Sequence, residues 1–300
     1  MGEKIVVSFD IGGTNLRGAV VALEAGGPRL LDQVRRATPN YLLGPDTPAS
    51  ERLSDVLGFI AEYFKASRER FGANALAAAF PGPIVGESTV LALPTVWGPD
   101  GQSLCPFDLG AMLAERLPGV PMKLMNDVTA AGYRFVDGSG DFALFTLGSA
   151  IGLKVFIDGV PRVGPHGYGG ELTHMVFDPS PAAPRCDCGG QGHLGALASG
   201  RAWQRVSAAA KEAGGEPDLL AFVEPLSRAV AMLHYSLGLE RFIFSGGLAE
   251  GLGEPLRAAI AASAQGQGWQ VGQDWNAMIE LAPADDAHAL IGGALAFATR

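Results

Sequence analysis

The chain has 300 residues, 48% of them hydrophobic and 18% charged, with a formal net charge of −9 and a pI near 5.0. That length exceeds one ordinary core and predicts two domains, the composition excludes a disordered chain, and the acidic balance excludes nucleic acid as the main partner, because phosphate backbones need a basic footprint. Three cysteines cannot all pair within one chain, and two of them, Cys186 and Cys188, stand too close to bridge without strain, which points to metal ligation.

The N-terminal residues Met1 to Val7 carry no basic segment followed by a long apolar one, so they read as a first strand and not as a signal peptide. Ile5 to Phe9 are mostly apolar and β-branched, Asp10-Ile11-Gly12-Gly13-Thr14-Asn15 makes a tight turn, and Leu16 to Ala22 resumes the strand. From Pro48 to Phe71, Leu53, Val56, Leu57, Ile60, Tyr63 and Phe64 recur at helical spacing. A short buried strand over Leu76 to Phe80 ends at Pro81-Gly82-Pro83, and a short helix over Leu109 to Leu117 stops at Pro118-Gly119. Val120 to Met125 is a strand ending at Asn126-Asp127, with Asp127 placed to cap a helix over Val128 to Tyr133.

Phe142 to Leu147 leads into Gly148-Ser149-Ala150-Ile151-Gly152, and Leu153 to Ile157 resumes the strand before a hairpin turn at Asp158-Gly159. Helices follow over Gly200 to Ala213 and Asp218 to Gly238. A strand at Phe242 to Phe244 meets Ser245-Gly246-Gly247, and a terminal helix covers Asp286 to Thr299. The apolar run Ala289 to Ala298 is too short to span a bilayer. Strands alternating with helices define an α/β class. Strand–glycine turn–strand occurs once in each half, which predicts two related lobes with a cleft between them. The expectation is a soluble cytoplasmic protein with no membrane partner.

Five groups of residues could carry chemistry. In the first turn, Asp10, Gly12, Gly13, Thr14 and Asn15 could bring backbone N–H groups close to phosphate oxygens, with Asp10 holding Mg²⁺ through water; the alternative is an ordinary glycine hairpin. Gly148 and Ser149 repeat that logic, and Gly246 and Gly247 form a third glycine turn that could contact a nucleotide or simply connect strand to helix. Asp127 could accept a proton from an attacking hydroxyl, or serve only as a helix cap. His174, Cys186, Cys188 and His193 offer two imidazoles and two thiols, the ligands of a closed tetrahedral Zn²⁺ site; the alternative is two buried cysteines and two surface histidines.

In this order, almost end to end, these residues resemble the ROK family (repressor, open reading frame, kinase), bacterial sugar kinases that include many glucokinases. Asp10 to Thr14 is similar to the first phosphate motif, Pro81-Gly82-Pro83 to a turn beside the sugar site, and Asn126-Asp127 to the sugar-binding Asn and catalytic Asp. Gly148 to Gly152 resembles the second phosphate motif GTGIG. Gly164 to His174 resembles the glycine-rich stretch ending in Gly-Glu-x-x-His. Cys186 to Gly200 resembles CxCGxxGCxExxxSG, and Ser245-Gly246-Gly247 the turn on the adenosine side.

The resemblance implies an α/β, actin-like (ribonuclease H-like) two-lobed ATPase fold with a central cleft that takes ATP and Mg²⁺. A small domain would comprise residues 1–118 and 287–300, and a large one, carrying a structural Zn²⁺ site, residues 119–286. It implies an ATP-dependent hexokinase- or glucokinase-type phosphotransferase of carbohydrate metabolism. Asp127 would be the general base for a 6-hydroxyl, with Asn126, Glu171 and His174 on sugar hydroxyls. His174, Cys186, Cys188 and His193 would hold zinc, which would brace the loop presenting Glu171. A homodimer is an option the resemblance leaves open.

Some residues depart from the family pattern. His193 stands for its third cysteine, Gly195 for a sugar-binding Glu, Thr95 for an Asn at the sugar site, and Ala150 for a glycine. A lost polar contact can shift discrimination by orders of magnitude. The expected substrate is therefore a hexose or hexose-like molecule: glucose, an amino sugar or another modified hexose, or a cyclitol. Two other classes are weighed against this. A family repressor would need a helix-turn-helix before the first phosphate motif, and Asp10 arrives after nine residues. A catalytically weak sugar-binding regulator fits the departures but not the retention of Asp10 and Asp127.

Overall fold

The computed structural model describes residues 4–93, 97–98, 104–186 and 188–299. The chain forms two compact units, one of Met1–Asp137, Val163–Tyr168 and Ala287–Arg300, the other of Gly138–Arg162 and Gly169–Asp286.

The first unit opens with β1 (Lys4–Ile11), β2 (Asn15–Glu24) and β3 (Gly27–Ala37), followed by helix α1 (Ala49–Phe71) and strand β4 (Ala75–Phe80). A small three-stranded sheet comes next, from β5 (Ile84–Val85), β6 (Thr89–Val90) and β7 (Phe107–Asp108). Helix α2 (Leu109–Arg116), strand β8 (Met122–Asn126) and helix α3 (Asp127–Gly132) follow. The main sheet has the order β3-β2-β1-β4-β8; β1 and β2 are antiparallel, and β4 lies parallel to both β1 and β8. Every residue of β4 is buried, as expected for a central parallel strand covered on both faces. On one face Val7, Phe9, Leu76 and Phe80 pack against Leu53, Leu57, Ile60 and Phe64 of α1. β3 was not among the expected elements. It is an edge strand of mostly half-buried and exposed residues, and its polar composition hides it from a search for apolar runs.

The second unit contains β9 (Phe142–Leu147), β10 (Ile151–Ile157) and β11 (Val160–Pro161), then helices α4 (Leu194–Ala198), α5 (Gly200–Glu212) and α6 (Leu219–Leu237). It continues through β12 (Phe242–Ser245), α7 (Gly247–Leu252), α8 (Glu254–Ala264), α9 (Trp275–Met278) and β13 (Ile279–Leu281). Its sheet has the order β11-β10-β9-β12-β13, with β9 antiparallel to β10 and β12 parallel to β9 and β13. Strand for strand this is the order and sense of the first unit's sheet, and in each the glycine turn joins the first two strands. Phe145, Leu147, Leu153 and Phe244 form its core with Val223, Leu226 and Val230 of α6 and Ile260 of α8.

The last helix, α10 (His288–Leu295), returns to the first unit, where Leu290 and Ala294 cover Val6, Ala19, Val21, Ala75 and Ala77 on the sheet's other face. It is shorter than the expected 286–299. Asp286 has φ 51°, a left-handed conformation that a helix does not continue through.

Candidate active site

In the first unit, Asp10 is the penultimate residue of β1 and is 6% exposed. Its carboxylate accepts from Arg17, its register partner on β2. The turn that follows closes through Gly12 N–H donating to the Asn15 carbonyl at 2.9 Å. Two residues that sequence reasoning missed hold its carbonyls: Thr38 Oγ1 donates to Gly12 O at 2.7 Å, and Asn40 Nδ2 donates to Gly13 O at 2.8 Å. Both are buried polar side chains. The Thr-Pro-Asn sequence after an edge strand was the only available signal.

Asn126 and Asp127 sit at the junction of β8 and α3. The expectation that Asp127 caps this helix needs correction: Asn126 is the N-cap, its Oδ1 accepting from Val128 and Thr129 N–H at 3.0 and 3.3 Å. Asp127 is the first helical residue. Its Oδ1 accepts from Val128 N–H at 2.9 Å, and the side chain remains half-buried. The other end of the Asn126 amide donates to Gly82 O at 3.2 Å, so the Pro-Gly-Pro turn orients the residue beside the candidate base. Thr95 lies outside the described residues.

In the second unit three glycine segments converge. The turn after β9 closes through Gly148 N–H to the Ala150 carbonyl at 3.0 Å. The start of α5 lies against it: Gly200 N–H donates to Gly148 O at 2.8 Å, and a Cβ on Gly200 would fall 2.5 Å from that same oxygen. Arg201 Nε donates to Ser149 O at 3.0 Å. Gly246, with φ 92°, approaches from β12, where a Cβ would fall 2.8 Å from Leu147 O. Gly148, Ser149, Gly246 and Gly247 thus belong to one backbone-lined patch. Gly200 and Arg201, also missed from the sequence, complete it.

Glu171 follows the glycine-rich stretch of the second unit. Burial pushes its carboxyl above the ordinary value of 4.5, while the Lys154 and His174 charges pull it back. His174 ends the short 3₁₀ turn Leu172–His174. Its imidazole meets Cys186, Cys188 and His193, with the four ligand atoms all within 4.8 Å of one another. Cys186 Sγ is 3.9 Å from His174 Nδ1, and Cys188 Sγ is 3.2 Å from His193 Nδ1. A tetrahedral ion with Zn–S and Zn–N bonds of ordinary length needs edges of roughly 3.3–3.8 Å, so a set spread to 4.8 Å would have to draw in slightly around it, while the donor chemistry is that of a closed four-ligand site. Backbone bonds fix the loop around it: Cys186 N–H donates to Gly190 O at 2.9 Å, Phe177 N–H to Gly192 O at 2.7 Å, and Leu194 N–H to Met175 O at 3.1 Å. His193 occupies the N-cap position of α4 but makes no capping bond, leaving its ring to the cluster.

The ROK family profile matches residues 6–300. The chain belongs to the ROK family. It is 34% identical to the C(7)-cyclitol 7-kinase of Streptomyces hygroscopicus subsp. jinggangensis (strain 5008), over 96% of this chain and 92% of that protein. Its fold matches the crystal structure of the ROK hexokinase from Thermus thermophilus with a TM-score of 0.74 at 24% identity, covering 97% of each chain. It also matches the ROK family glucokinase from Streptomyces griseus in complex with glucose and AMPPNP, with a TM-score of 0.72 at 24% identity over 98% of each chain. The fold is therefore the actin-like, two-lobed α/β fold of ROK kinases.

Gly195, where the ROK pattern has a carboxylate, lies in α4 beside the Glu171 loop: a Cβ there would stand 3.3 Å from the Thr173 carbonyl. The departure from the family pattern thus falls next to the candidate substrate-binding loop. No helix of the described residues is long and apolar enough to cross a membrane.

Proposed function

We propose that this protein is an ATP-dependent kinase of a cyclitol or hexose-like polyol, with a C7-cyclitol preferred to glucose. The observation that carries this reading is the near full-length likeness to a C(7)-cyclitol 7-kinase, which coincides with the loss of the family's sugar-binding carboxylate at Gly195.

Asp127 accepts the proton of the polyol's primary hydroxyl as that oxygen attacks the terminal phosphorus of ATP. Asn126, locked by its cap and by Gly82, and Glu171 and His174 accept or donate to ring hydroxyls; Thr95 is a further candidate. Asp10, Gly12, Gly13, Thr14 and Asn15 serve the phosphates in one unit. Gly148, Ser149, Gly246 and Gly247 serve the nucleotide in the other. Mg²⁺ bound with ATP supplies charge neutralisation at the phosphates, and Asp10, which pairs with Arg17, would hold it through water. Structural Zn²⁺ on His174, Cys186, Cys188 and His193 would hold the Glu171 loop in place without acting on the substrate.

The same reading places the enzyme in the cytoplasm and without a nucleic-acid partner, in keeping with its acidic charge. A homodimer also belongs to it: exposed Met175, Val176, Met232 and Tyr235 of the second unit are apolar side chains that a second copy could cover. A glucose or aminohexose kinase is the second reading, favoured by the fold shared with the glucose-bound glucokinase.

The direct test of Asp127 is D127N assayed for ADP release with a cyclitol and hexose panel. Loss of a general base predicts a fall in kcat of about 10³-fold with the melting temperature preserved. Turnover at the wild-type rate would remove Asp127 from the role of base.

A further inference from the structure

Lys154 lies in the middle of β10, a strand with no other polar side chain, and is only 1% exposed. Val155 and Leu153, its neighbours in sequence, point into the core of the second unit. An ammonium group is among the most expensive groups to bury, and one is kept in such a place only where fixed partners replace its water. One partner here is a backbone oxygen: Lys154 Nζ donates to the Gly169 carbonyl at 2.5 Å. Gly169 lies in the glycine-rich stretch that ends in Glu171 and His174.

A second contact joins the same two pieces of chain. Gly170 has φ 92°, and a Cβ added to it would stand 3.1 Å from the Leu153 carbonyl and 3.4 Å from Lys154 Cα. The loop backbone therefore lies directly on β10 at Lys154, and the lysine side chain reaches back to the residue before that contact. The Lys154 charge also acts on the Glu171 carboxyl, opposing the effect of its burial. Lysine thus provides two things that an apolar residue of the same length could not: a donor for the loop carbonyl and a counter-charge for the carboxylate two residues later.

We infer that Lys154 is a positioning residue that clamps the Gly169–Glu171 segment onto β10 and so fixes Glu171 as an acceptor for polyol hydroxyls. The substrate part rests on the kinase reading above; the clamp itself does not. Lys154 touches neither nucleotide nor phosphate in this account, so its loss acts on polyol binding and not on ATP binding.

The test combines amide hydrogen exchange with steady-state kinetics on K154M, whose unbranched stem fills the same space without donor or charge; K154Q is the second variant and carries the same expectation. Exchange over residues 169–173 should accelerate at least tenfold. The KM for the polyol should rise at least tenfold, while the KM for ATP and the zinc content stay within twofold of wild type. In the E171Q background, K154M should change the polyol KM by less than threefold, because its effect passes through Glu171. Unchanged exchange over 169–173, an ATP KM that rises as much as the polyol KM, or full additivity with E171Q would overturn the inference. If wild type turns over no polyol at all but exchange responds as described, the kinase reading falls and the clamp stands.

Discussion

Glu171 is half-buried beside Lys154 and His174, and its carboxyl is pushed up by desolvation more than those neighbours pull it down. A folded value above the unfolded one means that its contribution to stability is fully present below the unfolded value and is lost as pH rises through the folded one. Glutamine in its place removes that loss. E171Q should therefore melt higher than wild type at about pH 8, with the gap closing toward about pH 4, while its KM for the polyol rises. Differential scanning fluorimetry across that range checks the first part; an E171Q protein that melts lower than wild type at alkaline pH would contradict it. Candidate chemistry was legible at this scale wherever the residue type was itself unusual in context, as for the Asn126-Asp127 pair and the paired thiols. The reversed roles of Asn126 and Asp127 at the helix start were not, because either side chain can cap and only backbone angles distinguish them. Thr38, Asn40 and Lys154 were illegible for a different reason: each acts on a carbonyl far away in sequence.

At the scale of elements, the His174, Cys186, Cys188 and His193 cluster belongs to a loop with little regular structure of its own. Its backbone is tied by a few turn bonds and by short bridges from Val176 to His193 and from Arg185 to Gln191. Such a loop loses more by losing its ion than a helix would, since few other contacts order it. Purified protein should carry about one zinc per chain. C186S should lose the metal and raise the KM for the polyol more than it lowers kcat, because the His174 end of the Glu171 segment loosens. Metal analysis with steady-state kinetics checks this, and a fully active metal-free preparation would refute the zinc assignment. The strands of both sheets that were predicted are those with continuous apolar runs, such as β4 and β9. β3 escaped because an edge strand shows the solvent a polar face, and β13 because three residues carry too little pattern.

At the scale of the whole molecule, one strand order recurs in both units, and in each the turn between the first two strands carries the glycines assigned to phosphate. The repeat was visible in the sequence because a glycine turn between two apolar strands leaves a local signature. The return of the terminal helix to the first unit was expected from the family resemblance, whereas the inclusion of residues 119–137 and of Val163–Tyr168 in that unit left no such signature. The near full-length likeness to a kinase of the family sets the reaction class, and Gly195 beside Thr173 sets the question of substrate. A carboxylate removed from a sugar pocket costs the hydroxyls it served, and a site lacking it discriminates against the substrate that depends on it. The most direct measurement is kcat/KM for ATP-dependent ADP release with a C7-cyclitol and with glucose under the same conditions. The account predicts that the cyclitol exceeds glucose by about 100-fold or more. Glucose turned over as well as the cyclitol, or better, would contradict it.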